Sequence, residues 1–166
     1  MKKRKALRVT MVLLILVSLG IWLYQGDLPA EVVDAKYSSL SSQFLTLDDG
    51  ARIHFRDEGN RTGLPVVLIH GSMASLHAWT PWVGRLGKTY RIVTLDLPAH
   101  GLTGAVPSGD YSGAAQLRVV QAVTSHLNLD AFVLGGNSMG GGVSWRYALE
   151  HPESVLALIL VDASGP

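Results

Sequence analysis

The stretch Gly136-Asn137-Ser138-Met139-Gly140 decides how the rest of this 166-residue sequence is interpreted. It follows the pattern G-x-S-x-G and stands between two segments of different character. Residues 131–135 are short, apolar and typical of a buried strand, whereas residues 141–151 have a helical composition. The sequence therefore predicts a strand, a sharp turn and a helix in that order, with Ser138 at the apex of the turn.

The glycines two residues before and after the serine are explained by steric constraints. The apex residue of such a turn is held in a strained backbone conformation, and side chains at Gly136 or Gly140 would collide with the neighbouring strand and helix. The turn lifts the Ser138 hydroxyl above the sheet and places it at the positive end of the following helix. We interpret Ser138 as a nucleophile. The alternative is a glycine-rich loop with an incidental serine, and the flanking strand and helix patterns argue against it.

Composition favours a folded domain. Hydrophobic residues make up 48% of the chain and charged residues 16%, which is enough apolar material for a packed core. The chain contains no cysteine. A disulfide scaffold, a thiolate metal site and a cysteine nucleophile are therefore excluded.

The formal net charge of +1 is unevenly distributed. Five of the 14 Lys and Arg residues lie within residues 2–8, with no acidic residue among them. The other nine basic residues stand against all 13 acidic residues, so the rest of the chain carries a net charge of −4. Because the body of the protein is mildly acidic and shows no basic stripe, we expect no nucleic-acid partner.

The N-terminal segment is predicted to be a membrane anchor. Val9 to Tyr24 is apolar except for Thr10 and Ser18. These residues would form a helix about 24 Å long, a little short of a hydrocarbon core of about 30 Å. The preceding basic cluster should hold that end in the cytoplasm, so the remainder of the chain is expected on the periplasmic or extracellular side.

Two other interpretations of this segment exist. A signal peptide could be cleaved before Ile21, after the small residues Ser18 and Gly20, which would release a secreted protein. The apolar run continues through Tyr24, which favours an uncleaved anchor. A buried helix of a soluble domain would leave the basic cluster unexplained. We divide the chain into an anchor or signal segment at 1–26, a polar tether at 27–40 and a core domain at 41–166.

The core domain shows alternating strand and helix patterns. A hairpin is predicted from residues 43–47 and 51–55, joined by a turn at 48–50. The remaining predictions are buried strands at 66–70, 91–95, 131–134 and 155–161, and helices at 79–86, 111–127 and 138–149. A hairpin followed by alternating strands and helices implies an α/β fold with a doubly wound, mostly parallel sheet. Ligands of such sheets bind beyond the carboxyl ends of the strands.

The loops at those strand ends contain the other candidate site residues. The first buried strand ends in His70-Gly71-Ser72-Met73. If Ser138 attacks a carbonyl group, the resulting oxyanion needs backbone N–H donors that are already in place. We assign one donor to Met139, directly after the nucleophile, and the second to Ser72, with Met73 as the alternative. Gly71 would allow that backbone to approach closely.

Several other residues are weaker candidates. His70, at the end of a buried strand, is interpreted as an anchor of its loop rather than as a catalytic base. His100 is interpreted as a structural residue of a tight turn, and His54 as a strand residue. Asp162, at the end of the last strand, is a candidate acid, although a structural role is the simpler interpretation. No His, Asp or Glu group has metal-ligand spacing, and no nucleotide fingerprint is present, so we expect neither a metal nor a cofactor.

Three stretches resemble the α/β-hydrolase fold family: residues 66–79 (VVLIHGSMASLHAW), 90–104 (YRIVTLDLPAHGLTG) and 132–142 (FVLGGNSMGGG). They occur in the expected order at the expected strand ends, and the resemblance covers about residues 40 to 166. It implies a serine hydrolase acting on an ester or similar carbonyl group of a small molecule. The serine at 138 is unlike the haloalkane dehalogenase branch, which has aspartate there. The resemblance implies no particular substrate, and no partner protein can be inferred.

The resemblance also implies parts that this sequence lacks. The family's sheet has eight strands, and the sequence accounts for six of them. The family's acid and histidine follow later strands. His151 is the one histidine after Ser138, and it lies about 20 Å along the helix, which is too far to act as the base. We therefore expect a hydrolase fragment that is inactive alone, with an exposed, aggregation-prone edge strand at 155–161. The alternative is a degenerate hydrolase-like protein that binds small molecules without turnover.

Overall fold

The computed structural model describes residues 2–24, 26 and 28–165 of the chain. The chain divides into two compact units at the boundary between Val33 and Asp34. The predicted boundary between anchor and tether involves residues 25 and 27, and the predicted core domain ends at residue 166. These three positions lie outside the described residues.

The first unit is dominated by one long helix, α1 (Lys2–Leu23). Within the described residues, one helix, Lys3–Leu23, is long and apolar enough to cross a membrane. Its 21 residues correspond to a length of about 32 Å, close to the thickness of a hydrocarbon core. The helix is longer than the apolar run predicted from the sequence because the basic residues at its start are also helical.

A second helix, α2 (Ala30–Tyr37), lies in the stretch interpreted as a tether. The carbonyl oxygen of Pro29 accepts the N–H groups of Val32 at 3.0 Å and Val33 at 3.3 Å. Glu31 lies in the first turn and Lys36 in the last, where their charges complement the helix dipole. The helix has no buried residue, which explains why no apolar periodicity revealed it.

The second unit is built on a six-stranded sheet. Its elements are β1 (Ser42–Thr46), β2 (Arg52–Gly59), β3 (Pro65–Ile69), a 3₁₀ turn (Leu76–Trp79), α3 (Thr80–Leu86), β4 (Arg91–Leu95), α4 (Gly113–His126), β5 (Phe132–Asn137), α5 (Met139–Glu150) and β6 (Val155–Val161). The strand order is β1-β2-β4-β3-β5-β6. β2 pairs antiparallel with β1 and β4, and the other pairs are parallel. The predicted α/β class and mostly parallel sheet are confirmed.

The central strands are buried on both faces. Val67 and Val93 belong to the core cluster that includes residues of α4 and α5, whereas Val66 and Ile92 pack with Trp79 in the cluster that includes residues of α3. Helices therefore cover opposite faces of the sheet. This double burial is why β3 and β4 are continuous apolar runs rather than alternating ones.

The parallel pairing brings the predicted functional loops to one edge. Ile69, the last residue of β3, pairs with Leu95 at the end of β4 and with Gly136 near the end of β5. Asn137 in turn pairs with Val161 at the end of β6. The loops that follow these four strands consequently share one rim of the sheet, where such folds bind ligands.

Candidate active site

Ser138 occupies the junction between β5 and α5. Its backbone has φ 49° and ψ −116°, a left-handed conformation that is strained for any residue with a side chain. Serine at the N-cap of a helix ordinarily accepts a hydrogen bond from the first helical turn, but the Ser138 side chain does not cap α5. The strained turn therefore leaves the hydroxyl out of the helix-capping interaction that would otherwise occupy it.

We call the turn at residues 136–140 the elbow, and its two glycines, Gly136 and Gly140, are required by close packing. A methyl group added at Gly136 would overlap main-chain atoms of Gly140. A methyl group added at Gly140 would overlap the carbonyl oxygens of Ile69 and His70. The first turn of α5 thus lies directly against the end of β3. Only glycine allows this approach, as the sequence pattern indicates.

The loop after β6 holds the elbow from the other side. The Ser138 N–H donates to the carbonyl oxygen of Val161 at 3.0 Å, and the Ser164 N–H donates to the Ser138 carbonyl oxygen at 2.9 Å. The side-chain amide of Asn137 donates to Val161 as well, at 3.1 Å. Asp162 follows Val161 with φ 44° and an exposed side chain. Asp162 therefore follows directly on a residue that is hydrogen-bonded to Ser138, and its role as an acid stays a prediction.

The loop after β3 also reaches the serine. A methyl group at Gly71 would lie 3.4 Å from the Ser138 Cβ and 2.7 Å from Asn137 Oδ1. Ser72 comes next and is exposed, followed by Met73 with φ 57° and 97% of its surface exposed. The structure thus brings the predicted oxyanion loop next to Ser138. The roles of the Ser72 and Met139 N–H groups as donors stay predictions.

His70 is the first residue of the 70–73 loop, and both of its ring nitrogens bind main-chain groups. Its Nδ1 lies 2.7 Å from the Gly71 carbonyl oxygen, and its Nε2 accepts the Leu97 N–H at 3.1 Å. These partners assign the proton to Nδ1 of a neutral ring. The side chain is fully buried, and this burial lowers the pKa of His70 despite the opposing effects of the Gly71 carbonyl and the Asp96 charge. Both ring nitrogens are therefore occupied away from Ser138.

A buried carboxylate behind the rim was not singled out by sequence reasoning. Asp96 Oδ1 accepts the Leu76 N–H at 2.7 Å, and Oδ2 accepts the Leu102 N–H at 2.9 Å. His54 Nδ1 lies 2.7 Å from Oδ2, and its Nε2 lies 2.8 Å from Ser42 Oγ. The sequence did contain one signal for this site, an aspartate directly after an apolar strand. A carboxylate buried at the end of such a strand needs hydrogen-bond partners, so a cluster around it could have been expected.

The ionised form of this carboxylate is stabilised. Burial alone would raise the pKa of Asp96, but the hydrogen bonds from His54 and from the Leu76 and Leu102 N–H groups outweigh it and hold the pKa below its ordinary value. A group with such donors remains charged in the folded protein. Asp96 is therefore an anionic anchor for the segments that donate to it.

The chain of hydrogen bonds from Ser42 through His54 to Asp96 has the residue types of a catalytic triad. Ser42 Oγ, however, also accepts the Ser39 N–H at 3.0 Å and lies 3.4 Å from Arg56 Nε. Ser42 is the first residue of β1, at the edge of the sheet opposite β6. This serine is thus held by structural contacts, distant in sheet order from the elbow.

His151 ends α5 at the helix terminus opposite Ser138. Its ring stacks on Tyr147, with centroids 4.4 Å apart. Within residues 139–165, it is the one histidine in the sequence. This placement agrees with the expectation that it cannot serve Ser138.

A groove of about 870 Å³ lies between the β1–β2 turn and α4. Its lining includes Leu45, Asp48, Arg118 and His126, and it contains neither Ser138 nor any residue of the 70–73 loop. The groove is therefore lined by none of the candidate site residues at the rim of the sheet.

A family model described as the alpha/beta hydrolase fold matches residues 65–166. The chain belongs to this family. The match includes β3 to β6, the elbow and the 70–73 loop.

Individual members of the family show the same relationship. The chain is 33% identical over 129 residues to lipase 1 of Psychrobacter immobilis, covering 77% of this chain and 40% of the lipase. It is 30% identical over 135 residues to a 2-hydroxy-6-oxo-6-phenylhexa-2,4-dienoate hydrolase of Burkholderia cepacia, covering 76% and 46%. The crystal structure of a bacterial membrane phospholipase A aligns with a TM-score of 0.72 and 29% identity, covering 97% of this chain and 53% of that one.

The chain spans less than half the length of these two curated relatives, 40% of one and 46% of the other. Hydrolases of different substrates stand among its family relatives, which supports a hydrolase in general. The similarity does not by itself select a substrate or a nucleophile, because one fold hosts many reactions.

Proposed function

We propose that this chain provides the nucleophile and the oxyanion site of a serine hydrolase that acts on an ester or similar carbonyl substrate. The observation that carries the proposal is the backbone of Ser138, strained at φ 49° with its side chain not capping α5. Folded proteins keep such strain where the surrounding structure over-determines it, commonly at reactive sites.

The neighbouring groups support this reaction. Ser138 attacks the carbonyl carbon, and the N–H groups of Met139 and Ser72 stabilise the negative charge that develops on its oxygen. Gly71 lies against Ser138, so the 70–73 loop is close enough to contribute. A histidine base would accept the serine proton. Among the described residues after Ser138, no histidine lies within reach of it. No cofactor is required for this chemistry.

A fluorophosphonate probe tests the assignment of the nucleophile. By full-length protein we mean the complete gene product, including any residues beyond these 166. We expect it to be labelled at Ser138, and we expect Ser138→Ala to abolish both the labelling and the hydrolysis of a p-nitrophenyl ester. Ser42→Ala is the matched control, because Ser42 also contacts a histidine but should not be labelled. Labelling that persists in Ser138→Ala and disappears in Ser42→Ala would show that the proposed nucleophile is wrong.

The second candidate function is binding of a small molecule without turnover. It predicts that the full-length protein binds an ester ligand, yet shows neither covalent labelling nor hydrolysis. The strained serine favours the enzyme, because a binding pocket has no need for a nucleophile in this conformation.

We further propose that α1 anchors the protein in a membrane and that the hydrolase domain is exported. The alignment with the membrane phospholipase A extends over 97% of the chain, and α1 has the length and composition of a span. An ester within or near a lipid bilayer is then the favoured substrate class. In the native host, we expect the protein to resist alkaline carbonate extraction and external protease to remove the domain. A mature N-terminus near residue 21 would instead indicate signal cleavage.

A further inference from the structure

The buried carboxylate of Asp96 connects segments that are far apart in the sequence. We infer that Asp96 is a positioning residue that fixes the 70–73 loop beside Ser138 through its bond to the Leu76 N–H, and this inference rests on the proposed hydrolase function. We call Asp96, His54 and the Leu76 and Leu102 N–H groups the Asp96 cluster. Ser138 and the cluster share no direct hydrogen bond among the described residues, so any effect on catalysis must pass through the loop.

The segment from His70 to Leu76, which contains the 70–73 loop, is held at both of its ends by contacts with Asp96 and Leu97. At one end, His70 accepts the Leu97 N–H at 3.1 Å through Nε2. At the other end, the Leu76 N–H donates to Asp96 Oδ1 at 2.7 Å. Between these two points, the loop contains Met73 with φ 57°. A short strained segment keeps one conformation only when its ends are fixed.

The carboxylate itself has little freedom to move. Its Oδ2 is bound by His54 at 2.7 Å and by the Leu102 N–H at 2.9 Å. Thr103 Oγ1 donates to the Asp96 carbonyl oxygen at 2.8 Å and accepts the His54 N–H at 2.9 Å. Gly101 has φ +49°, and a side chain there would overlap the carboxylate. Strand β2, through His54, and the tight turn at 101–103 therefore converge on this one anion.

The chain offers a matched control in Asp57. This aspartate is also buried, with 2% of its surface exposed. It binds Arg91 Nε at 3.0 Å and Nη2 at 2.8 Å, and it also binds Arg61. It pairs with Val93 in the middle of the sheet rather than with the rim. Removing its charge should destabilise the fold without moving the 70–73 loop.

The test compares Asp96→Asn with Asp57→Asn in the full-length protein, at a temperature where both are folded. We expect Asp96→Asn to lower kcat for a p-nitrophenyl ester by about 10- to 100-fold, with KM changed by less than about threefold, because misplaced oxyanion donors act mainly on the transition state. Asp57→Asn should keep kcat within about twofold of the wild type. Equal kcat losses in the two variants would reduce Asp96 to a stability role and overturn the inference.

A second pair of variants, at His54, tests the same link if Asp96→Asn does not fold. His54→Asn retains a donor that can reach Asp96 Oδ2, whereas His54→Leu removes it at similar volume. We expect kcat to be preserved better in the asparagine variant than in the leucine variant. If both variants lose the same fraction of kcat, the link through the cluster is contradicted.

Hydrogen exchange gives a readout independent of activity. Amides 71–76 should exchange faster in Asp96→Asn than in the wild type, and at the wild-type rate in Asp57→Asn. Unchanged exchange in both variants would contradict the positioning role. If the wild-type protein hydrolyses no ester, the proposed function fails. If it does so through Ser138 while Asp96→Asn keeps its kcat and its slow exchange, only the present inference fails.

Discussion

The glycines of the elbow have no room for a side chain. This lack of space, rather than a need for backbone flexibility, explains why glycine stands at these positions. Gly136 and Gly140 each face main-chain atoms where a side chain would sit. Main chain cannot yield as a flexible side chain can, so a substitution there must displace α5 or β3.

We predict that Gly136→Ala destabilises the protein by about 2 kcal/mol or more, because the added methyl group overpacks the elbow. The free energy of unfolding in urea measures this effect. Gly84→Ala is the control, since Gly84 lies in α3 with open space around it. That change should stabilise the protein by about 0.5–1 kcal/mol. Similar effects of both variants would contradict the packing explanation.

His70 makes stability depend on pH. Burial holds its native pKa below the ordinary 6.5, so the unfolded chain takes up a proton that the native ring resists. Its contribution is therefore complete above the unfolded pKa and is lost as the pH falls towards the lowered native pKa. Asp96 acts in a separate, lower window, beneath its ordinary 3.8.

We predict that the free energy of unfolding falls as the pH is lowered from about 7 to about 5. His70→Gln removes this proton uptake while keeping a donor and an acceptor, so its stability should vary less over that interval. Urea titrations at several pH values measure both slopes. An identical slope in the two proteins would mean that another group causes the loss.

At the scale of elements, α4 and α5 begin in contrasting ways. Ser112 caps α4 in the usual manner, because its hydroxyl accepts the Ala115 N–H at 3.3 Å. Ser138 precedes α5 without capping it. A serine hydroxyl therefore caps α4, whereas the serine before α5, the proposed nucleophile, makes no capping hydrogen bond.

We predict that Ser112→Ala costs about 1 kcal/mol of stability, because the first turn of α4 loses its cap. Ser112→Asn retains a capping oxygen and should be close to neutral. Thermal or urea unfolding of the two variants provides the comparison. If asparagine were as damaging as alanine, a role of the hydroxyl other than capping would be indicated.

At the scale of the whole molecule, the sheet has an apolar edge. β6 pairs with β5 alone among the described strands. Leu156, Leu158 and Leu160 are 58%, 39% and 47% exposed. An exposed apolar edge strand invites pairing with other chains, and this agrees with the sequence-based expectation for residues 155–161.

We predict that the 166-residue chain aggregates in solution and that Leu156→Lys with Leu160→Lys increases its monomeric fraction, since edge charges oppose strand pairing. Light scattering at matched detergent concentration measures this fraction. Leu149→Lys removes a leucine that is 74% exposed on α5, and it should have a smaller effect. Equal gains would assign aggregation to general hydrophobicity.

Local patterns in the amino-acid sequence predicted the succession of strands and helices along the chain, the double burial of the central strands and the turn at Ser138. These features follow from local periodicity and from glycines whose absence of side chains is visible in the pattern. The same local signals predicted the N-terminal apolar helix. They missed α2, whose residues bury nothing and so show no period.

Hydrogen bonds between distant side chains depend on how the strands pair in three dimensions. His54 and Asp96 are separated by 42 positions, and no periodicity relates them. Their contact exists because β2 pairs antiparallel with β4, which brings the two residues to the same end of the sheet. Long-range pairing is set by the packing of the whole fold, and for that reason the Asp96 cluster became visible only in three dimensions.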